Sequence, residues 1–503
     1  MRLAQGITGV MLLSLAVICG IVLSRPSSDS EAKAVETPQQ RANADNQVPP
    51  PAQNEGAFEV LKNNYAPYCV PGDELAFPMK VWALSASQYQ FWRGSRDLYF
   101  EWCRGSDHGA DWLADKGSYV INHGDLHLGN IGRYAKNGDF GSTSFGAVDF
   151  DETARLPFQI ELLQGLITLR LAARENNIEL GGRREELARV MFDAYRKAIA
   201  SNKSTLEIIS DEHSMGKFIE QAQKPTYEKT LLKFTDESGH FLRYVHTKKS
   251  ERKQGMTPKE ILREAIDKKE DMARGIAQAL QNSEAARAAF RYSDVETIRR
   301  SIKDVALRTR LESVGSQGLK KYLVLLNKPL KGLEMDVVMY VKQEIPSAAE
   351  RAGAIPMDSR SAGRRCSEDM NVLTNPTAYM NSWCDIGKES YWVTLKDPWG
   401  EDLEVNMVRD YAKLTEFAKM WGSVAGAMHR QQGNAAAIMD RLKKPELFEQ
   451  LRHRSTLYLA ELDRQYHDFI HDPRARAEAA KAQVKIDEAE ADARRRGDKE
   501  NDD

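Results

Sequence analysis

A short segment of the chain carries an aspartate and an asparagine at a spacing that suits phosphate chemistry. In His-Gly-Asp-Leu-His-Leu-Gly-Asn, residues 123–130, Asp125 precedes Asn130 by five positions, and Asp149 follows at the end of a predicted strand. Phosphoryl transfer needs a carboxylate that accepts or orients the proton of the acceptor hydroxyl, and hard oxygen ligands that hold Mg²⁺ against the phosphates. Asp125 fits the first role, and Asn130 and Asp149 fit the second.

Four further polar residues lie in or near this segment, and the sequence leaves their roles open. Asp151 is either another metal ligand or the cap of a helix that begins near Pro157. Arg93 is either an anion clamp or a partner in a surface ion pair. We expect His123 and His127 to brace the loop by hydrogen bonding. A metal-dependent hydrolase built from these histidines and the neighbouring aspartates is an outside alternative.

A nucleotide also needs a clamp for its phosphates, and a glycine turn and a strand lysine could supply one. Gly315, Ser316 and Gly318 precede the apolar run Tyr322–Leu326, and Lys342 ends a second apolar run. Glycine is the default residue wherever a turn needs a positive φ, so the turn alone is weak evidence. Its order and spacing relative to the lysine make the pair a candidate phosphate-binding unit.

The chain resembles known families in several of these segments. His-Gly-Asp-Leu-His-x-Gly-Asn followed by Asp-Phe-Asp is similar to the catalytic and metal-binding loops of aminoglycoside phosphotransferases and related small-molecule kinases. From about Met79 to Asn434 the sequence more closely resembles an uncharacterised bacterial family, domain of unknown function 2252. The segments that carry this second resemblance are Phe91–Gly94, Gly124–Asn130, Asp149–Thr153, Ser313–Gly318, Val341–Glu344 and His429–Arg430.

This resemblance implies a two-lobed, protein-kinase-like α+β fold that binds ATP and Mg²⁺. In ordinary kinases the glycine turn and the lysine precede the catalytic loop, whereas Gly315 and Lys342 follow it here, so the resemblance also implies a circular permutation. The helix carboxylate that pairs with Lys342 would be Glu350 or Glu368. The chain departs from the family at Leu319-Lys320, where Thr-Arg is expected.

The amino terminus differs in composition from the rest of the chain. An uncharged, mostly apolar segment runs between Arg2 and Arg25, and the residues that follow are rich in Ser, Pro, Ala, Gln and Asn. We expect a signal peptide or signal anchor over 1–25 and a disordered linker over 26–56, so that the folded part is membrane-anchored or exported from a bacterial cytoplasm. Export would separate it from cytoplasmic ATP, which favours a membrane-tethered pseudokinase or binding module as the alternative function.

The overall charge limits the kinds of partner we expect, and the cysteines limit the possible disulfide bonds. The net charge is −2 over 503 residues, so we expect no nucleic-acid partner. Four cysteines lie beyond the apolar segment. Cys69 with Cys103, and Cys366 with Cys384, could each close a disulfide in an oxidising compartment, and four unpaired buried thiols are the alternative.

The hydrophobic pattern predicts the elements that must position the site. Helices are predicted over Phe158–Glu175, over Glu185–Ala200, and from a capping box at Thr257–Glu260 towards Gln281. Strands are predicted in a hairpin around Asn137-Gly138-Asp139 and over Tyr322–Leu326, Val337–Lys342 and Tyr391–Leu395.

We therefore expect two lobes followed by further helices. The helical catalytic lobe is expected over 57–300, the strand-rich nucleotide-binding lobe over 301–410 and the C-terminal helices over 411–471. Residues 472–503 are expected to form a solvated helix that frays into a charged tail. The predicted activity is ATP- and Mg²⁺-dependent phosphotransfer to a hydroxyl-bearing acceptor that the sequence does not identify. Nucleotidyl transfer needs the same metal ligands and is a further alternative.

Overall fold

The computed structural model describes most of the chain after the apolar segment. The described residues are 56–70, 73–105, 107–136, 139–205, 207, 227–245, 259–311, 314–374, 380–396 and 404–501. All of them belong to one compact unit, Val48–Asp503. The predicted signal segment, and the predicted linker except Gly56, lie outside these residues. Within the described ranges, no helix is both long enough and apolar enough to cross a membrane.

Helices occupy both ends of the described chain and flank the strands in its middle. They are α1 (Ala57–Tyr65), α2 (Ala76–Ser85), α3 (Gln88–Gly94), α4 (Arg96–Cys103), α5 (Ala110–Ala114), α6 (Phe158–Glu175), α7 (Arg184–Ala200), α8 (Tyr227–Phe234), α9 (Lys269–Asn282), α10 (Glu284–Ala289), α11 (Val295–Ser301), α12 (Ala348–Arg351), α13 (Ala362–Leu373), α14 (Tyr411–Arg430), α15 (Ala435–Leu442), α16 (Pro445–His471) and α17 (Pro473–Asn501).

The strands form antiparallel sheets. They are β1 (Tyr119–Asn122), β2 (Ile131–Lys136), β3 (Asp139–Ala147), β4 (Ala154–Pro157), β5 (Tyr244–Val245), β6 (Glu260–Glu264), β7 (Ile302–Arg310), β8 (Lys321–Leu326), β9 (Val337–Glu344), β10 (Ser382–Ile386) and β11 (Glu389–Leu395). β1 pairs with β4, β2 pairs with β3, and the other seven form one sheet in the order β10-β11-β9-β8-β7-β6-β5. This mixture of helices and antiparallel sheets confirms the predicted α+β class.

The large sheet is buried on both faces, which explains why its central strands read as continuous apolar runs. In β8, Tyr322, Val324 and Leu326 join one buried cluster with α9, whereas Leu323 and Leu325 join another on the opposite face. Successive strand residues point to opposite faces, so both faces require apolar side chains. The three predicted strands of this sheet are confirmed as β8, β9 and β11. The sheet begins at Tyr244, earlier than the expected lobe boundary at residue 301.

The helix predicted to begin at Thr257–Glu260 is wrong at its start. Glu260 opens β6, and the helix begins only at Lys269. The side chain of Glu260 is buried and accepts two hydrogen bonds of 2.7 Å from the guanidinium of Arg308 on β7. Pairing with β7 therefore overrides the local capping pattern. Thr257 and Pro258 lie outside the described residues.

The helical part of the fold is organised around α6, whose predicted bounds are confirmed. A Cβ at Gly165 would lie 2.5 Å from the ring of Trp421, so α6 and α14 approach closely because this residue is glycine. The indole nitrogen of Trp421 donates to the carbonyl oxygen of Leu126 over 2.6 Å. The α6–α14 contact therefore reaches directly into the 123–130 loop.

The C-terminal segment 472–503 was expected to be a solvated helix that frays into a charged tail; the helix is present, but one side of it is buried. It forms α17, which packs against α2. Ala482 and Ile486 are buried with Met79 and Leu311, whereas Val484 between them is 56% exposed. A sparse stripe of small and β-branched residues is therefore enough to dock an otherwise charged helix.

The four described cysteines are all free thiols, and three of them are buried. Neither the Cys69–Cys103 nor the Cys366–Cys384 bridge is present. Cys366 lies on α13 and Cys384 on β10, each within the hydrophobic interior of its own part of the fold.

Candidate functional site

The 123–130 loop leaves β1 through a tight glycine turn. Gly124 has φ of +78°, and a Cβ at this position would overlap the carbonyl oxygen of Glu152. Only glycine meets both requirements, because other residues would add backbone strain and a steric clash. The turn therefore presses the loop against residues 149–153, so the two predicted motifs lie side by side.

Asp125 is buried in this loop and is held by an arginine. The Nε and Nη2 atoms of Arg96 lie 2.8 and 2.5 Å from Asp125 Oδ1. Oδ2 is 3.6 Å from Nε2 of His127. Burial raises the pKa of Asp125 to about 6, although Arg96 opposes the shift. A carboxylate with a pKa in this range is suited to accept a proton near neutral pH.

The two histidines of the loop act as braces, as predicted. Nε2 of His123 lies 3.1 Å from the carbonyl oxygen of Val148, and Nε2 of His127 accepts a bond of 3.2 Å from Arg93. Burial lowers the pKa of His123 to about 4, so its ring is neutral at ordinary pH. Arg93 contacts the loop through His127, and it forms no ion pair with any residue that the structure describes.

Asn130 joins the loop to the β2–β3 hairpin. Its amide nitrogen donates to the carbonyl oxygen of Asp125 over 3.0 Å, and its own backbone carbonyl accepts from the amide of Val148 over 2.9 Å. The amide nitrogen of Asn130 is thus occupied, and its side-chain oxygen is the candidate ligand atom. Because Asp149 follows Val148 directly, the hairpin pairing brings the predicted metal ligands Asn130 and Asp149 together.

Asp149 and Asp151 meet the predicted lysine. Nζ of Lys342, on β9, lies 2.6 Å from Asp149 Oδ1 and also contacts Asp151 Oδ2. Asp149 has φ of +65°, an uncommon conformation for a residue with a side chain, and its side chain is 46% exposed. Asp151 therefore does not cap α6, which begins without a side-chain cap.

A third carboxyl group, that of Glu344, lies beside the same ammonium group. Glu344 Oε1 is 4.0 Å from Lys342 Nζ, so three carboxylates surround one ammonium group. Burial and the charge of Asp149 raise the pKa of Asp151 to about 7. For Asp149, the ammonium of Lys342 outweighs the effect of burial and holds the pKa below its ordinary value. The oxygen atoms of these carboxyl groups are the type of donor that a hard divalent cation prefers.

The glycine turn lies near this cluster in the sheet but is attached to other elements. β8, which follows the turn, pairs Lys321 with Lys342 in register. Nζ of Lys80 donates to the carbonyl oxygens of Val314 and Gly315, over 2.8 and 2.7 Å. Among the described residues, no hydrogen bond joins the turn at Gly315–Gly318 to the aspartates of the cluster.

The carbonyl groups of the glycine turn accept hydrogen bonds, whereas its amide groups donate to no described residue. The hydroxyl of Tyr65 donates to the carbonyl oxygens of Gly315 and Gln317, and the amide of Val70 donates to that of Gly318. The amides of Gly315, Ser316, Gln317 and Gly318 donate to no described residue. Backbone amides that lack a partner in the protein can bind an anion.

A buried glutamate that the sequence did not single out binds the backbone of the 123–130 loop. Glu161, in the first turn of α6, accepts the backbone amides of His123 and Gly124 over 2.5 and 3.4 Å. Burial raises the pKa of Glu161 to about 7. His429 Nε2 is 3.9 Å from Glu161 Oε2, and His429 Nδ1 pairs with the hydroxyl of Tyr195. The sequence feature that could have indicated a buried role for Glu161 is its position as a lone acidic residue in the apolar first half of α6.

Two arginines with buried side chains, which the sequence did not single out, bind the 149–153 segment. They connect it to the residues that follow β9. Arg365 on α13 donates to the backbone oxygens of Asp151, Thr153 and Ile345. Arg351 forms a two-pronged ion pair with Asp97, over 2.9 and 3.0 Å. In the sequence both resemble ordinary polar helix residues, so no local pattern distinguishes them.

The two glutamates considered as helix partners of Lys342 have other contacts. Glu350 accepts from the amide and hydroxyl of Ser347 and from the amide of Asp358. Glu368 pairs with Arg360 and Arg364. Lys342 is instead neutralised by the loop aspartates and by Glu344 of its own strand.

Comparison with known proteins assigns the chain to a family whose activity is uncharacterised. No curated protein and no solved structure matches the chain. A family model does match, over residues 73–472, which is well over half of the chain and includes the 123–130 loop, Asp149, Asp151, the glycine turn and Lys342. The chain therefore belongs to the family described as an uncharacterized protein conserved in bacteria (DUF2252).

Proposed function

We propose that the protein is a phosphotransferase that binds ATP and Mg²⁺ in a kinase-like, circularly permuted arrangement. The observation that carries the proposal is the contact of Lys342 Nζ with Asp149 and Asp151. A strand lysine beside a loop aspartate is the pairing from which kinases build their phosphate and metal site. Here the aspartate precedes the lysine in the chain, as a permuted order requires.

Asp125 is the residue proposed to serve the acceptor hydroxyl. Its pKa of about 6 leaves it ionised near neutral pH, and Arg96 fixes Oδ1 so that Oδ2 is the oxygen left for a substrate proton. Asn130 is tied to the backbone of Asp125. Movement of the catalytic carboxylate relative to the metal ligands is thereby restricted, as efficient transfer between positioned groups requires.

The donor atoms present suit Mg²⁺ and a nucleotide. The Asn130 side-chain oxygen, Asp149 and Asp151 would hold the cation, which when bound neutralises phosphate charge. Lys342 would exchange one of its carboxylate contacts for a phosphate oxygen. The free amides of Gly315–Gly318 would receive another part of the phosphate chain.

The second candidate is a ligand-binding module without turnover. It is favoured by the double contact of Arg96 with Asp125 Oδ1. This ion pair makes the carboxylate of Asp125 a weaker base, and a catalytic residue in this position would have to accept a proton. The same cleft could then hold an anionic ligand through Lys342 and the glycine turn.

Calorimetric titration of the full-length chain with Mg-ATP tests the proposal. Binding should require Mg²⁺ and weaken strongly in Asp149→Asn, whereas Asp125→Asn should still bind ATP but lose transfer to an acceptor. Asp385→Asn, at an exposed position of β10, is the matched control. Binding with no difference between wild type and Asp125→Asn in any transfer assay would support the binding module. A folded wild-type chain that binds no Mg-ATP would contradict the phosphotransferase.

A further inference from the structure

Three metal-ligating side chains from separate elements converge behind Lys342. Asp151 comes from the loop after β3, Glu344 from the end of β9 and Cys366 from α13. One donor atom from each lies within 4.8 Å of the other two. Ligands of one cation are separated by distances of this order, since each lies about 2.0–2.3 Å from the metal.

Two oxygens of this cluster are buried without a hydrogen-bond partner. Glu344 is 5% exposed, and its Oε1 has no partner among the described residues. Oδ1 of Asp151 is likewise unpartnered. The 4.0 Å between Glu344 Oε1 and Lys342 Nζ is too long for a hydrogen bond. A buried carboxylate oxygen without a partner is costly, so a group that completes its coordination is expected here.

We propose that Asp151, Glu344 and Cys366 form a second cation site, which shares Asp151 with the proposed Mg²⁺ site at Asn130 and Asp149, and that it takes a divalent cation of the zinc class. The sulfur donor decides the class of metal. Mg²⁺ takes oxygen ligands only, whereas Zn²⁺ and Co²⁺ accept a thiolate with two carboxylates and leave a position for water. The 20% exposure of the Asp151 side chain provides the route of entry.

Occupancy of the cation site would determine whether Lys342 can bind a phosphate. A cation at Asp151 Oδ1 would draw negative charge away from Oδ2, the oxygen that contacts the ammonium group of Lys342. A bound cation therefore weakens the Lys342–Asp151 pair and frees Nζ for a phosphate. This consequence rests on the proposed function, whereas the cation site itself does not.

Titration of the metal-free, full-length chain with Co²⁺ in the absence of nucleotide tests the site. A bound Co²⁺ with one thiolate ligand gives a thiolate-to-metal charge-transfer absorption in the near ultraviolet. We expect this band at one equivalent in wild type and in the control Cys384→Ser, whose thiol is equally buried but outside the cluster. The band should be absent in Cys366→Ser. Glu344→Gln should keep the thiol and weaken binding by at least about tenfold.

Several results would overturn the proposal. They are a folded wild-type chain that shows no charge-transfer band, a band that survives Cys366→Ser, or a Co²⁺ affinity that Glu344→Gln leaves unchanged. Glu344→Gln carries the test alone if Cys366→Ser does not fold. Asp149→Asn separates this proposal from the previous one, because it should retain the Co²⁺ band while losing Mg-ATP. A chain that binds Co²⁺ at this site but never binds ATP would sink only the phosphotransferase.

Discussion

Nζ of Lys342 donates to Oδ1 of Asp149 over 2.6 Å, although 193 residues separate the two in the chain. The contact joins the end of β9 to the loop after β3. The large sheet and the helical part of the fold therefore meet at a charged cluster, and each contributes groups that the other lacks.

Lys342→Met should weaken Mg-ATP binding by roughly 10- to 100-fold, the range expected for loss of one charge-assisted contact. The variant also leaves Asp149, Asp151 and Glu344 without their buried counterion, so its melting temperature should fall. Calorimetry measures the first effect and thermal unfolding the second. Lys388→Met, at an exposed turn of the same sheet, should change neither. Unaltered ATP affinity in a folded Lys342→Met chain would show that Lys342 does not contact the nucleotide.

The pH dependence of transfer should report Asp125. Because burial raises its pKa to about 6, the proton-accepting form grows as pH rises, so kcat/KM should increase up to about pH 6 and level off above it. Arg96 opposes this shift, and Arg96→Met should therefore move the ascending limb upwards by roughly one unit or more.

The matched control for this measurement is Arg155→Met, whose side chain is exposed on β4. Its pH profile should coincide with that of wild type. An ascending limb that stays in place in Arg96→Met would show that another group controls the profile.

Glu161 should make the stability of the protein depend on pH. Its folded pKa of about 7 lies above the ordinary value of 4.5, so the folded state holds the proton more tightly. This contribution is fully present below the unfolded pKa and is lost as pH rises through about 7.

Glu161→Gln cannot titrate, so from about pH 5 to about pH 8 its free energy of unfolding should fall less than that of wild type, by on the order of 3 kcal/mol. Urea unfolding at several pH values measures this difference. Parallel curves for the two proteins would mean that the carboxyl does not carry the shift.

Docking of α17 can be tested with two neighbouring residues of similar type. Ile486 is 5% exposed and packs near Met79, whereas Val484 is 56% exposed. Ile486→Ala should lower the free energy of unfolding by about 2 kcal/mol, and Val484→Ala should be nearly neutral. Equal urea midpoints for the two variants would indicate that the helix does not pack on α2.

Spacing within the chain was enough to predict that several side chains of the candidate site lie close together in the fold. Asp125, Asn130 and Asp149 lie on two loops held together by the β2–β3 hairpin, whose strands were predicted. Lys342 could be predicted because it is a charged residue at the end of an apolar run that is typical of a strand. Gly315 and Gly318 form the predicted turn, yet its attachment to Lys80 and Tyr65 depends on helices more than 200 residues away and leaves no trace in the local pattern.

Long-range contacts also explain the predictions that were wrong or incomplete. Glu260 has a good capping sequence, but its ion pair with Arg308 exists only once β6 and β7 align. Arg365 looks like a surface residue until α13 packs on the 149–153 segment. Local propensity cannot express such tertiary effects.

The central claim is that Lys342 faces the phosphates of a bound nucleotide. An adenosine analogue that carries a sulfonyl fluoride at the 5′ position presents an amine-reactive group where those phosphates would lie. After incubation with the full-length chain, peptide mass spectrometry should find the label on Lys342, and Mg-ATP should prevent its attachment. Label on another lysine, such as Lys80, or label on Lys342 that Mg-ATP does not reduce, would contradict the account.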